Sequence, residues 1–310
     1  MPRLSTNNID IEYEVFGSDS DPVILLIMGQ GAQMTVWPES FCRGLAERSF
    51  RVVRFDNRDV GLSTHFDGVK APGVARSLFT ALLGIPIRTP YTLHDMAGDA
   101  VGVLEELRID TAHIVGASMG GMIAQILAAT QSKRTRSLVS MMSTSGKRGL
   151  KPPKSTLMRH VLFGQRKDMT RDDFVVALVR FSGLVASPGY PTPADERLRR
   201  VTSWVDRNFD LAASFRQFAA MAACGDRTSL LESIRRPSLV IHGEDDPLIR
   251  VDGGRHTASS IPDARLEVIP GMGHDMPESL VPRLVDMIAS HCAAADDSHD
   301  ISARAIATNA

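Results

Sequence analysis

Gly116-Ala117-Ser118-Met119-Gly120 places one serine at G-x-S-x-G spacing, inside the longer run IVGASMGGM from Ile114 to Met122. An apolar run of β type precedes it, and an apolar run of helix type, Met122–Ala129, follows. A sharp strand–turn–helix at this point forces the serine into a strained backbone conformation and pushes its Oγ into the open. Gly116 and Gly120 suit that geometry, because side chains there would collide with the adjoining strand and helix. The N–H of Met119 would open the helix with no intrahelical acceptor, aimed at any negative charge that develops beside it. The chemistry such a turn offers is nucleophilic attack by a serine hydroxyl.

A serine hydroxyl is a weak nucleophile until a base takes its proton. Nine histidines are available. His274 lies in PGMGHDMP, a glycine-bracketed loop after a late β-type run, and parallel sheets place their sites in such loops. His94 reads as part of a capping turn, His256 as part of a helix, and His291 and His299 as surface residues near or in the tail. His113 and His242 fall on strands and read as satisfied core histidines. The base in turn needs an acid to set its tautomer. VIHGEDDPLI ends a strand with Glu244, Asp245 and Asp246, whereas the strand after the serine turn ends in Ser143-Thr144-Ser145, with no carboxylate. Asp246 is the preferred acid, Asp245 is its alternative, and Glu244 reads as a solvated turn residue.

These side chains need elements to hold them. Short β-rich runs recur at 9–16, 22–28, 50–56, 112–118, 136–142, 238–243 and 265–270, most of them apolar on both faces like strands buried in a parallel sheet. Asn7-Asn8 suits a turn before the first of these runs. In 92–107, Leu93, Met96, Ala97, Ala100, Val101, Leu104 and Leu107 recur at helical spacing, after a Thr92/Asp95 start signal. Residues 122–129 and 280–288 are also helix-like. This alternation predicts an α/β class: a mostly parallel, doubly wound sheet with right-handed crossovers.

From 146 to 236 the rhythm stops. TLMRHVLFG, DDFVVALVRFSGL, DERLRRVTSWVDRNF and AASFRQFAAMAACG read as helices and predict a helical cap inserted between two core strands. The apolar segment 75–87 could join the same roof. The core is then expected at 1–145 and 237–292, with the small, polar residues 293–310 forming a disordered tail.

A chain of 310 residues suffices for one core carrying an insertion. The net charge of −1 gives no nucleic-acid footprint. Lys147, Arg148, Lys151 and Lys154 form a small basic cluster that reads as a solvated loop. Cys42, Cys224 and Cys292 are odd in number and lack metal-ligand spacing, so they read as reduced thiols of a cytoplasmic protein. Residues 1–20 carry acidic groups and no long apolar run, which argues against a signal peptide. No run reaches the roughly 18 apolar residues of a membrane span. Neither a metal nor an organic cofactor is expected.

Taken in order, MGQGAQMTVWP (28–38), FDNRDVGLS (55–63), GASMGG, HGEDDPL and IPGMGHDMP resemble the serine α/β-hydrolase superfamily over about residues 5–292. Within it they resemble bacterial esterases that include aclacinomycin methylesterases. The resemblance implies an α/β-hydrolase fold and hydrolysis of a small-molecule ester with an apolar part, through an acyl-enzyme on Ser118. His274 would be the base and Asp246 its orienting acid. By position, Gln30 would supply the second oxyanion N–H beside that of Met119. Many members carry His-Gly where this chain has Met28-Gly29-Gln30-Gly31, so a histidine side chain that often buttresses the loop is lost. Asp56 and Arg58 would organise their loop, with Gly61 and Ser63 shaping its turn. Methionines crowd these loops and suit either core filling or a pliable apolar pocket. Met34, Trp37 and Met272 are the candidate pocket residues. Hydrolysis of a lactone, thioester or carbon–carbon bond, a cofactor-free perhydrolase or haloperoxidase, and a non-enzymatic ligand-binding role remain as alternatives on the same fold.

Overall fold

The structure is a computed structural model that describes residues 2–158, 169–208 and 210–308. Its centre is one sheet of eight strands: β1 (Arg3–Thr6), β2 (Ile9–Phe16), β3 (Val23–Ile27), β4 (Arg51–Phe55), β5 (Ala112–Ala117), β6 (Thr135–Met141), β7 (Ser238–Gly243) and β8 (Arg265–Ile269). The spatial order is β1-β2-β4-β3-β5-β6-β7-β8. The β1–β2 and β2–β4 pairs are antiparallel, and every other pair is parallel. The runs apolar on both faces occupy the middle: β3, β5 and β7 are buried throughout. Edge strand β8 keeps only Ile269 fully covered. Strand β1 lacked a sequence signal because it is a short, half-exposed edge strand. The turn joining it to β2 uses Asn7 and Asn8 at φ 51° and 61°, the left-handed region that asparagine tolerates.

Helices cover both faces. On one side α3 (Leu93–Glu106) and α4 (Met119–Thr130) pack against the sheet; on the other, α1 (Glu39–Ala46) meets the last helix. The start of α3 is the expected capping box, with the Asp95 N–H donating to Thr92 Oγ1 at 3.2 Å and the Thr92 N–H to Asp95 Oδ2 at 2.7 Å.

Between β6 and β7 the described residues contain helices and no strand: α5 (Arg171–Val185), α6 (Ala194–Arg207), α7 (Leu211–Cys224) and α8 (Thr228–Ser233). Val175, Val201 and Val205 form their own small apolar cluster, with Phe174 and Trp204 against it. The helix expected in TLMRHVLFG falls mostly outside the described residues. Segment 75–87 does join this region: α2 (Val74–Leu82) packs on α7.

After β7, α9 (Val251–Ser260) leads to β8, and the final helix α10 spans Val281–Thr308. It passes straight through position 293, where composition suggested that a tail begins. Ala295 is buried there, and Asp296 contacts His113 and Arg136. The alanine run 293–295 is strong helix-forming sequence, which continues the helix onto the sheet. Among the described residues, no helix is long and apolar enough to cross a membrane.

Candidate active site

Ser118 stands between β5 and α4 at φ 56°, ψ −120°, a conformation costly for any residue with a Cβ. Its surroundings over-determine it. The Ser118 N–H donates to Met141 O at 2.9 Å, and Ser143 Oγ donates to Ser118 O at 2.8 Å. A Cβ on Gly116 would lie 2.1 Å from Gly120 O, and one on Gly120 would lie 2.0 Å from Ile27 O. Both positions therefore exclude a side chain, for the steric reason the motif suggested.

His274 comes from the loop after β8. Its Nε2 lies 3.0 Å from Ser118 Oγ, and its Nδ1 lies 2.6 Å from Asp246 Oδ2. Asp246 is fully buried, and its other oxygen accepts the N–H groups of Leu248 and Ile249 at 2.8 and 2.9 Å. Asp245 is exposed, and its carboxylate braces the Gly271 N–H at 3.1 Å. The adjacent acids are thus separated by burial, and the buried one meets the histidine.

A second histidine stands behind the pair. His242 Nε2 is 3.6 Å from Asp246 Oδ2 and hydrogen-bonds Ile249 O at 2.7 Å. Burial pushes the His242 pKa below its ordinary value, which favours the neutral ring.

The loop carrying His274 is tied to the segment after α5. The His274 N–H donates to Val185 O at 2.8 Å, and the Gly273 N–H donates to Ser187 Oγ at 2.8 Å. Asp275 Oδ1 accepts the Ser187 N–H at 3.0 Å and the Ser187 hydroxyl at 2.5 Å. Burial raises the Asp275 pKa, against these hydrogen bonds. Sequence reading missed Ser187 and Asp275; the only signal was the polar residue next to His274.

Gln30 follows β3 and borders the same space as Ser118. Its side chain does not face empty solvent: Nε2 donates to Ser214 O at 2.9 Å, and the Gly31 N–H donates to Gln217 Oε1 at 2.7 Å. Helix α7 therefore buttresses the loop from which the motif's histidine is missing. The Met119 N–H is the first of α4 and has no intrahelical acceptor.

Asp56 and Arg58 do organise their surroundings. Asp56 accepts the Met34 N–H at 2.8 Å and the Leu62 N–H at 3.0 Å, and pairs with Arg207 at 2.7 Å. Arg58 forks onto Asp99 with two contacts of 2.6 Å. Ser63 Oγ donates to Asp56 O at 2.7 Å, and Gly61 sits at φ 60°. Asp59, His65 and Asp210 also converge, but Arg216 donates to Asp59 and contacts Asp210 at 3.3 Å, so a guanidinium already supplies the positive charge there.

A cavity of about 760 Å³ lies over Ser118 and His274. Phe174, Phe181, Trp204, Phe215 and Phe218 line it from the helices between β6 and β7, and Met122, Met142 and Met276 from the core. Met34, Trp37 and Met272 do not line it. All three are fully buried beneath the site, where Trp37 stacks on Phe41 at 5.3 Å. Their loops border the site, but the side chains turn into the core to complete its packing. His291 likewise differs from its reading as a surface residue: α10 buries it to 5% exposure. His113 and His242 are buried on their strands as expected, and His113 bonds Ser137 at 2.9 Å.

A sequence family described as the alpha/beta hydrolase fold matches residues 22–279. The chain is 27% identical to the rhodomycin D methylesterase DnrP of Streptomyces peucetius, over 95% of this chain and 99% of that protein. It is 26% identical to the rhodomycin D methylesterase DauP of Streptomyces sp. strain C5, over 94% and 98%. Among solved structures, the meta-cleavage product hydrolase CumD of Pseudomonas fluorescens IP01 superposes with a TM-score of 0.71 at 15% identity, covering 94% of this chain and 97% of that one. An identity that low shows a shared fold alone.

Proposed function

The chain belongs to the alpha/beta hydrolase fold family, and from that premise we propose that it is a serine-dependent carboxylic ester hydrolase. The observation that carries this reading is the continuous contact from Ser118 Oγ to His274 at 3.0 Å and on to Asp246 at 2.6 Å, beneath an apolar cavity. The two Streptomyces relatives are methylesterases, which supports an ester as the bond cleaved.

In the proposed reaction the Ser118 oxygen attacks the ester carbonyl carbon while His274 Nε2 takes its proton. Asp246 holds the imidazole by Nδ1–H and stabilises the imidazolium. The carbonyl oxygen becomes an oxyanion that accepts the N–H groups of Gln30 and Met119. The tetrahedral adduct collapses, His274 protonates the departing alkoxide, and the acyl group stays on Ser118. Water, deprotonated by His274, then attacks the acyl carbon, and the bond to Oγ breaks as His274 returns the proton to Ser118, which releases the acid. Every proton has a station among these residues, so the reading calls for neither metal nor cofactor.

Residues 146–236 act as the cap in this reading. They supply all the aromatic side chains of the apolar wall, Phe174, Phe181, Trp204, Phe215 and Phe218, which suits a small-molecule ester with an apolar part. A cytoplasmic setting fits the three free cysteines. Burial pushes the thiols of Cys42 and Cys292 up to about 12, so neither is a competing nucleophile.

The test is a substrate panel: p-nitrophenyl esters of rising chain length, a lactone and a thioester, with purified protein. Ester turnover that rises with chain length to an optimum supports the reading. Turnover confined to the lactone or thioester, or turnover of none, overturns it.

A further inference from the structure

Among the described residues, six of the nine exposed large hydrophobic side chains lie within residues 69–85. On α2, Leu78, Phe79 and Leu82 recur at helical spacing and form one stripe, with Phe79 63% and Leu82 75% exposed. Leu83 and Ile85 extend it beyond the helix. Ser77, elsewhere around the helix, is buried, and α2 packs on α7, so the stripe faces outward. An amphipathic surface helix normally turns its apolar stripe to the core. A contiguous exposed one marks a docking surface.

The two stretches that carry and adjoin it hold charges of one sign. No acidic residue occurs from Gly68 to His94, or from Gly146 to Met158. The first stretch carries Lys70, Arg76 and Arg88, and the second Lys147, Arg148, Lys151 and Lys154, all exposed. The two stretches meet where Arg148 Nη2 donates to Ala81 O at 3.1 Å. Asp67 stands just ahead of the first stretch, and Asp252 is spent on the Lys151 N–H at 2.8 Å. The cluster at 147–154, a solvated loop by sequence alone, is thus the rim of an apolar helix. Val74, Leu78, Lys147 and Leu150 also line the cavity over Ser118, so the patch and the cavity share an edge.

We propose that α2 and its basic rim form an interfacial docking surface for an anionic lipid bilayer, which sets the edge of the cavity against the lipid so that lipophilic esters enter from that phase. The stripe offers no hydrogen-bonding side chain, as suits the acyl boundary, while cations at its rim meet phosphate headgroups. An apolar stripe free of hydrogen-bonding side chains, with cations of one sign at its rim, matches the acyl boundary and the phosphates of an anionic bilayer at once. Entry of esters rests on the function proposed above; docking itself does not.

Docking is tested by vesicle flotation of full-length Ser118→Ala protein, which has the surface but lacks the proposed nucleophile. Vesicles of phosphatidylcholine mixed with phosphatidylglycerol should carry it up, and phosphatidylcholine alone should not. High salt should release it. Adding Phe79→Ser, Leu82→Ser and Leu83→Ser together should lower partition at least about tenfold with melting temperature unchanged, since these side chains are exposed. Lys70→Gln, Arg76→Gln and Lys154→Gln should each lower it about fivefold. In the Ser118 background, the stripe variant should keep kcat/KM on a water-soluble ester and lose turnover of an ester dissolved in anionic vesicles. Absence of flotation, or a stripe variant that floats equally well, overturns docking. So does a dimer that the stripe variant dissociates, with no vesicle binding, because the occupant is then a second copy. Flotation without hydrolysis of any ester leaves docking standing and overturns the proposed activity.

Discussion

Arg216 donates through Nε and Nη2 to both carboxylate oxygens of Asp59, at 2.8 and 2.7 Å, with both side chains buried. Tyr91 adds its hydroxyl to the same carboxylate at 2.6 Å. Asp59 follows β4 and Arg216 lies on α7, so this ion pair joins the sheet to the helices over the cavity. Arg216→Met strands a buried carboxylate and should cost about 3 kcal/mol in urea unfolding. Asp59→Asn combined with Arg216→Met should cost less than the sum of the single changes. Additive costs would mean that the pair is not a coupled unit.

The nucleophile is tested directly. Ser118→Ala should lower kcat roughly a million-fold if the three residues act as a unit. An organophosphate should add once per chain, on Ser118, as read by peptide mass. An adduct on a different serine, or full activity in the variant, would sink the assignment.

The acids make a paired test. Asp246→Asn keeps the fold but favours the wrong tautomer of His274, and should lower kcat on the order of 10⁴-fold. Asp245→Asn loses only an exposed brace on Gly271 and should lower it far less. The reverse order would assign the acid to Asp245.

Phe174, Trp204 and Phe215 all line the cavity. Replacing each by alanine should, at one or more of the three positions, change ester chain-length preference more than melting temperature. The shift expected in kcat/KM ratios is roughly 1–3 kcal/mol. If every variant melts early and keeps the parent's preference, these helices are structural and the core loops select the substrate.

His291 gives the stability a pH dependence. Burial, reinforced by His113 and Arg265, pushes its pKa down to about 4. In the unfolded chain it returns to about 6.5. Above about pH 6.5 both states hold it neutral and the folded form loses nothing. As pH falls from about 6.5 toward 4, the unfolded chain takes up a proton that the folded chain refuses, so stability drops, by roughly 3 kcal/mol once both are protonated. His291→Met removes the titrating ring and should flatten this part of the curve. Urea unfolding of both proteins across about pH 4 to 7 measures it, and coincident curves would refute the linkage.

The sequence alone determined seven of the eight strands, the chain order of Ser118, an acid in the loop 244–246 and His274, and the two glycines that shape the serine turn. These features are local: apolar runs on both faces, a capping box at Thr92 and Asp95, and a turn too tight for a Cβ. Tertiary structure decided what depends on docking between distant segments. Burial chose Asp246 over its exposed neighbour. Ser214, 184 residues away, took up the side chain of Gln30, and Arg216, 157 residues away, took up Asp59. Met34, Trp37 and Met272 border the site in sequence yet fill the core, because a loop's position does not set the direction of its side chains. The stripe on α2 has the same helical period as any buried one. Only the packing of α2 on α7 turned it outward, since periodicity records which residues share a face and not what that face meets.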